Sequence, residues 1–220
     1  MGALTSFLDI LFPPRCIFCR RFLKSGQRMQ ICDECKRTLP YTSGGGEKTG
    51  EFFTVCVAPL YYEGNVRESL LRFKFKDATG YAEEYGKLLA DCIRENLAGR
   101  YDLISWVPLS RERLKERGYD QAMLLALAAA LELDDVAVST LEKPLDAEKQ
   151  STMGSAEKRR ANIAGAYKAA DPELVEGRRI LLIDDIVTTG STLSECAKTL
   201  LAAGAKEVLC AAVARTRDDD

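Results

Sequence analysis

The stretch from Arg178 to Leu201, RRILLIDDIVTTGSTLSECAKTLL, leaves this chain little freedom in what it can fold into. Ile180, Leu181, Leu182 and Ile183 form a short apolar run, the pattern of a strand buried on both faces. Asp184 and Asp185 follow at its carboxyl end. After Thr188-Thr189-Gly190-Ser191-Thr192, the residues Leu193, Cys196, Ala197, Leu200 and Leu201 recur at helical spacing, and Gly204 stands where that helix should stop. The order is strand, acidic pair, hydroxyl-rich turn, helix. A helix N-terminus offers unpaired N–H groups and partial positive charge, which suits a phosphate. Gly190 permits close approach, and the hydroxyls of Thr188, Thr189, Ser191 and Thr192 add donors. Two carboxylates repel that phosphate and instead suit a sugar diol or a hydrated Mg²⁺. Phosphate on one side and diol on the other describe a ribose 5-phosphate. The plainer account of the same residues is a buried strand meeting an N-capped helix, with two surface aspartates by accident. No Gly-Lys-Ser/Thr ending is present, which argues against a nucleotide triphosphatase.

The second constraint is a set of cysteines. Cys16 and Cys19 form one C-x2-C pair, and Cys32 and Cys35 form another. Two such knuckles supply the four thiolates of a tetrahedral Zn²⁺, with four protein ligands leaving no open position, so the metal reads as structural. Redox-active or disulfide-paired cysteines are the competing account. The chain has no histidine, so neither acid–base chemistry nor a metal site rests on imidazole. Cys56, Cys92, Cys196 and Cys210 fall in apolar patterns and read as core. The N-terminus lacks a basic leader and its apolar run holds Asp9 and is too short to span a membrane, so a cytoplasmic protein without membrane insertion is expected. A net charge of −2, from 31 basic and 33 acidic residues, excludes a general electrostatic pull toward nucleic acid and leaves only local patches.

Along the chain, three regions separate: 1–42, an N-terminal helix and four-cysteine ribbon; 43–50, a Gly-rich flexible join; and 51–220, the main domain. In the main domain, 54–62 reads as a strand, 65–75 as a helix capped by Asn65, 85–99 as a longer helix and 102–107 as a strand. A charged loop from Arg111 to Gly118 leads to a helix over 120–133, then a strand over 136–141. From Glu142 to Tyr167 periodicity is lost, and the segment reads as a mobile functional loop. Strands over 179–183 and 208–214 flank the motif helix. Strands alternating with helices predict a parallel sheet covered on both faces, with the ligand beyond the strands' carboxyl ends. Arg111, Arg113, Lys115 and Arg117 would face a pyrophosphate there, or merely solvent. Lys74 and Lys76 form a weaker basic cluster.

IDDIVTTGSTL resembles the phosphoribosyl-pyrophosphate (PRPP) signature of type I phosphoribosyltransferases. The full order of a four-cysteine ribbon, YYEGNVRESLLRFKFK, VPLSRERLKERGYDQA, EKRRANIAGAY and that signature resembles the ComF family of bacterial competence proteins and its gluconate-operon-associated relatives. The resemblance implies an α/β fold, a parallel-sheet type I phosphoribosyltransferase-like domain preceded by a small zinc ribbon. It implies that Asp184, Asp185 and Thr188 to Thr192 bind PRPP with Mg²⁺, the two aspartates being the catalytic candidates. Arg117 and Gln121 would line the site, and Arg159 would belong to the loop. The family usually carries Asn where this chain has Asp120. Three functions follow from it: transfer of ribose 5-phosphate to an unknown acceptor in DNA uptake, PRPP or nucleotide sensing without turnover, or a single-stranded DNA-binding accessory of the competence machinery. The last would use Arg20, Arg21 and Lys24 with Arg111, Arg113, Lys115, Lys158, Arg159 and Arg160.

Overall fold

The computed structural model describes residues 13–23, 30–76, 78–144 and 165–217. The expected helix over Leu4–Leu11, Lys24, and the loop residues Lys158, Arg159 and Arg160 lie outside them. The described elements are helix α1 (Asp33–Thr38), a 3-10 turn (Gly44–Gly46), strands β1 (Cys56–Val57) and β2 (Leu60–Tyr61), helices α2 (Gly64–Phe75) and α3 (Tyr81–Leu97), and strand β3 (Leu103–Trp106). Helices α4 (Arg111–Arg117) and α5 (Gln121–Glu132), short strands β4 (Leu141–Glu142) and β5 (Lys168–Ala169), and helix α6 (Pro172–Val175) follow. Strand β6 (Arg179–Val187), helix α7 (Ser191–Ala202) and strand β7 (Glu207–Arg215) complete the order.

The apolar run Ile180–Ile183 lies at the centre of the sheet. It is fully buried because β6 pairs in parallel with β7 on one side and β3 on the other. The strand order is β1-β7-β6-β3, all parallel, with β2 also paired to β7. Alternation of side chains sorts this strand between two layers. Leu181 and Ile183 join a core formed with α2, α3, α5 and the ribbon, whereas Ile180 and Leu182 join a core formed with α6 and α7. Helices α3 and α5 approach closely at Gly86, where a Cβ would come within 2.5 Å of the Ala128 Cβ.

Several expectations are corrected. Strand β6 does not end before the acidic pair but carries it, continuing to Val187. The 54–62 strand is broken into β1 and β2 at Ala58-Pro59, because proline has no N–H to give β7 and the Ala58 N–H donates to Gly45 O instead (2.7 Å). The charged segment 111–118 is a helix, with the Ser110 hydroxyl accepting from Arg113 N and Gly118 closing it at φ 78°. Helix α2 starts beyond Glu63, one residue before Asn65, so Asn65 is not its cap. Residues 136–140 make no ladder, only Ala137 bridging Ile104, and Leu141 instead opens β4, which forms a separate antiparallel pair with β5. The segment 43–50, expected as a flexible join, makes defined contacts: Lys48 bridges Cys56, Gly45 O accepts from Ala58 N, and buried Arg215 donates to Gly46 O and Glu47 O. The ribbon shares the main core, since Ile17, Phe18 and Ile31 are buried with α2 and α3.

Candidate functional site

Because Asp184 and Asp185 lie on a strand, alternation sends their carboxyl groups to opposite faces. Asp185 is buried and ion-pairs with Lys74 Nζ of α2 (2.8 Å). Asp184 is half-buried on the other face, where its charge acts on Tyr167 and Cys196. Burial, and then the neighbouring Asp185, push the Asp184 carboxyl upward from the ordinary range, while Lys74 and the Asp185 N–H pull the other way. Burial and the Asp184 charge likewise hold the Cys196 thiol far above its usual value, which fits a core thiol and not a nucleophile.

Next to the pair is the turn. Gly190 stands at φ 79°, a left-handed conformation natural to glycine, and leads directly into α7. Ser191 N approaches Thr189 Oγ1 (3.4 Å) and the two hydroxyls of Thr189 and Ser191 share a bond of 2.8 Å. Thr188 and Thr189 are exposed, Ser191 and Thr192 half-buried. Asp184 and Thr188 to Thr192 line one small cavity of about 40 Å³, so the chain brings this expected set together.

A larger cavity of about 390 Å³ opens beside it, between Asp184, Asp185 and Thr192 on one side and the Val107–Ser110 turn on the other. Its size suits a small ligand. Arg117 and Gln121 both line it, and Arg117 Nη1 donates to Gln121 Oε1 (2.7 Å). Arg159 lies outside the described residues. Lys74, Arg113, Lys143 and Tyr167 also line this cavity. Lys74 was visible in the sequence only as a basic cluster, and nothing near Tyr167 or Lys143 in the chain signals that folding brings them to the acidic pair. Asp120 is explained by its place: its carboxylate accepts from Leu109 N (2.8 Å) and Met123 N (3.1 Å). One residue thus caps α5 and holds the turn that forms the cavity wall. Burial raises its titration, opposed by those N–H donors.

The four ribbon cysteines are all free thiols whose Sγ atoms lie within 4.8 Å of one another. Cys19 Sγ and Cys32 Sγ are 3.6 Å apart, against about 3.8 Å for the edge of a tetrahedron with Zn–S bonds near 2.3 Å. Cys32 N donates to Cys16 Sγ and Cys35 N to Cys32 Sγ, both at 3.4 Å. Backbone N–H groups aimed at sulfur stabilise thiolates, so the donor set fits a structural Zn²⁺ and not a disulfide pair.

Fold and site together define a phosphoribosyltransferase-type sheet with a zinc ribbon at its N-terminal end. Residues 115–220 match the phosphoribosyl transferase domain model and residues 7–53 the double zinc ribbon domain model. Competence protein F of Haemophilus influenzae is 29% identical over 222 residues, covering 91% of this chain and 96% of that protein. The DNA utilization protein YhgH of Salmonella typhimurium is 35% identical over 211 residues, covering 91% and 90%. Competence protein ComFC of Bacillus subtilis is 32% identical over 143 residues, covering 65% and 56%. The chain belongs to the ComF family of competence and DNA utilization proteins. Among the described residues, no helix is long and apolar enough to cross a membrane.

Proposed function

We propose that the cavity binds PRPP, with the 5-phosphate at the Thr188–Thr192 turn and the ribose diol at Asp184 and Asp185. The observation that carries this reading is the convergence of a left-handed glycine at a helix start with two carboxyl groups at the end of a buried parallel strand. Arg113, Arg117 and Lys143 line the same cavity and supply positive charge for the pyrophosphate. By donor chemistry Asp184 and Asp185 suit a hydrated Mg²⁺, which would neutralise the leaving pyrophosphate when bound. The carboxylates then favour positive charge developing at the anomeric carbon, and ribose 5-phosphate passes to an acceptor in DNA utilisation. The test is calorimetry with PRPP and with inorganic phosphate. Asp184→Asn and Asp185→Asn should each weaken PRPP by roughly 10-fold or more, the loss of a charged hydrogen bond of about 1.5–3 kcal/mol. Inorganic phosphate should be nearly unaffected. Equal losses for both ligands would mean general destabilisation.

A second reading, single-strand binding, is favoured by one observation. Phe75 is 63% exposed, and the Arg117 guanidinium sits 5.0 Å from its ring centroid. Lys74 and Lys76 border the same groove. An exposed ring among cations is a stacking platform for bases. Phe75→Ala should weaken oligodeoxythymidylate binding without changing PRPP affinity. Unchanged oligonucleotide binding removes this reading.

A further inference from the structure

The first zinc knuckle is gripped by the same helix that reaches into the cavity. Ile17 and Phe18, the two residues between Cys16 and Cys19, are buried against α2 and α3. Their carbonyl groups turn toward α2. Arg72 Nη2 donates to Ile17 O (2.9 Å) and Phe18 O (2.7 Å), and the Ser69 hydroxyl donates to Ile17 O (2.6 Å). Ser69 in turn accepts from Tyr85 OH (2.6 Å), and the Phe18 ring meets Tyr85 edge-on at 6.0 Å. Two residues beyond Arg72, Lys74 makes the 2.8 Å ion pair with Asp185. Phe73 O, between them, accepts from Tyr119 OH, fastening the last turn of α2 to the segment that carries Arg117 and Gln121.

The energetics make the knuckle carbonyls more than ornament. The Arg72 side chain is largely buried, its Nε has no hydrogen-bond partner among the described residues, and its carboxylate neighbour Glu68 stands 3.7 Å away and is mostly exposed. A guanidinium in that setting depends on the two carbonyl groups for its compensation. If the knuckle loosens, Arg72 loses the carbonyl partners that compensate its burial, and α2 loses the polar contacts that fix its register against the ribbon.

We propose that Arg72 and Ser69 are positioning residues: by gripping the first zinc knuckle they hold α2 in the register that carries Lys74 to Asp185. The zinc ribbon is therefore a buttress for the acidic pair and not a separate appendage. What this does for ligand binding rests on the PRPP reading, but the test below uses no PRPP, so either can fail alone.

Lysine acetylation of the full-length protein, read by peptide mass spectrometry, supplies an internal control. Lys74 and Lys87 have matched exposure, 19% and 21%, and both are ion-paired, Lys87 with Glu83 and Glu84 on α3. Arg72→Gln is expected to raise the Lys74-to-Lys87 labelling ratio several-fold while circular dichroism shows retained helix. Stripping zinc from the wild-type protein with a chelator is expected to do the same. A ratio that stays at the untreated wild-type value in either case overturns the proposal, as does a parallel rise at both lysines, which marks general loosening. Should Arg72→Gln fail to fold, Ser69→Ala, which deletes the bond to Ile17 O together with the acceptor of Tyr85 OH, carries the same test with Lys87 on the Tyr85 helix as its control.

Discussion

Replacing Gly190 by alanine asks whether the turn before α7 is built for close approach. At φ 79° the backbone is left-handed, and an L side chain there costs about 1–2 kcal/mol. The added Cβ would also sit 3.3 Å from Phe53 Cζ and 3.4 Å from Cε1. Phe53 is 3% exposed and packed in the core behind the turn, so it cannot simply swing away. For a chain of this size that cost lowers Tm by roughly 2–8 °C. Rotation of the turn to relieve the strain would displace the N–H groups of the first turn of α7, which the cradle needs in place. Thermal unfolding by circular dichroism reads the first effect, and calorimetry with inorganic phosphate and with PRPP reads the second. Both affinities should fall together, because on the proposed reading both ligands would place a phosphate on the same donors. A lowered Tm with unchanged phosphate affinity would refute the cradle. An unchanged Tm would refute the left-handed backbone on which it depends.

The remaining predictions concern metal, charge and packing. Protein as isolated should contain about one zinc per chain, given the one four-thiolate set among the described residues; Cys32→Ser should lower both zinc content and Tm, and intact Tm without zinc would remove the structural role. Asp184 is raised above its ordinary range mainly by burial, so the folded protein keeps a proton that the unfolded chain releases. Stability should therefore fall as pH rises from about 5 to about 8, and Asp184→Asn should flatten that fall; an identical slope in the variant would show that other groups cause it. Gly86→Val should destabilise by forcing α3 from Ala128, with an expected loss of about 1–3 kcal/mol in urea unfolding.

Much of this was legible from local pattern. The Ile180–Ile183 run, the α7 stripe and the C-x2-C spacing each encode their structure within a few residues, so no tertiary knowledge is needed to read them. The misreadings came from contacts that lie far apart in sequence. Asp184 and Asp185 looked like a loop because carboxylates are rare in buried strands; a partner from α2 and a cavity make them tolerable there. Residues 111–118 carry many charges and few apolar residues, so their helix has no buried face to announce it, and only Ser110 and Gly118 mark its ends. Thr54–Tyr62 has strand composition throughout, yet one proline divides it. The Gly-rich join reads as free because its partners, Cys56, Ala58 and Arg215, lie elsewhere in the chain.

The place of β7 in the sheet has a consequence for how the chain is made. This strand lies between β6 and the β1–β2 pair, although it follows every other described strand in the sequence. A ribosome releasing the chain from its N-terminus delivers β1 and β2 long before the strand they pair with exists. Until residues 207–215 emerge, the early strands present bare edges and the ribbon has only part of its seat. Closure of the sheet is thereby postponed until residues 207–215 have emerged, and nascent chains stalled before Glu207 should be protease-sensitive in the ribbon half as well as in the half around β6.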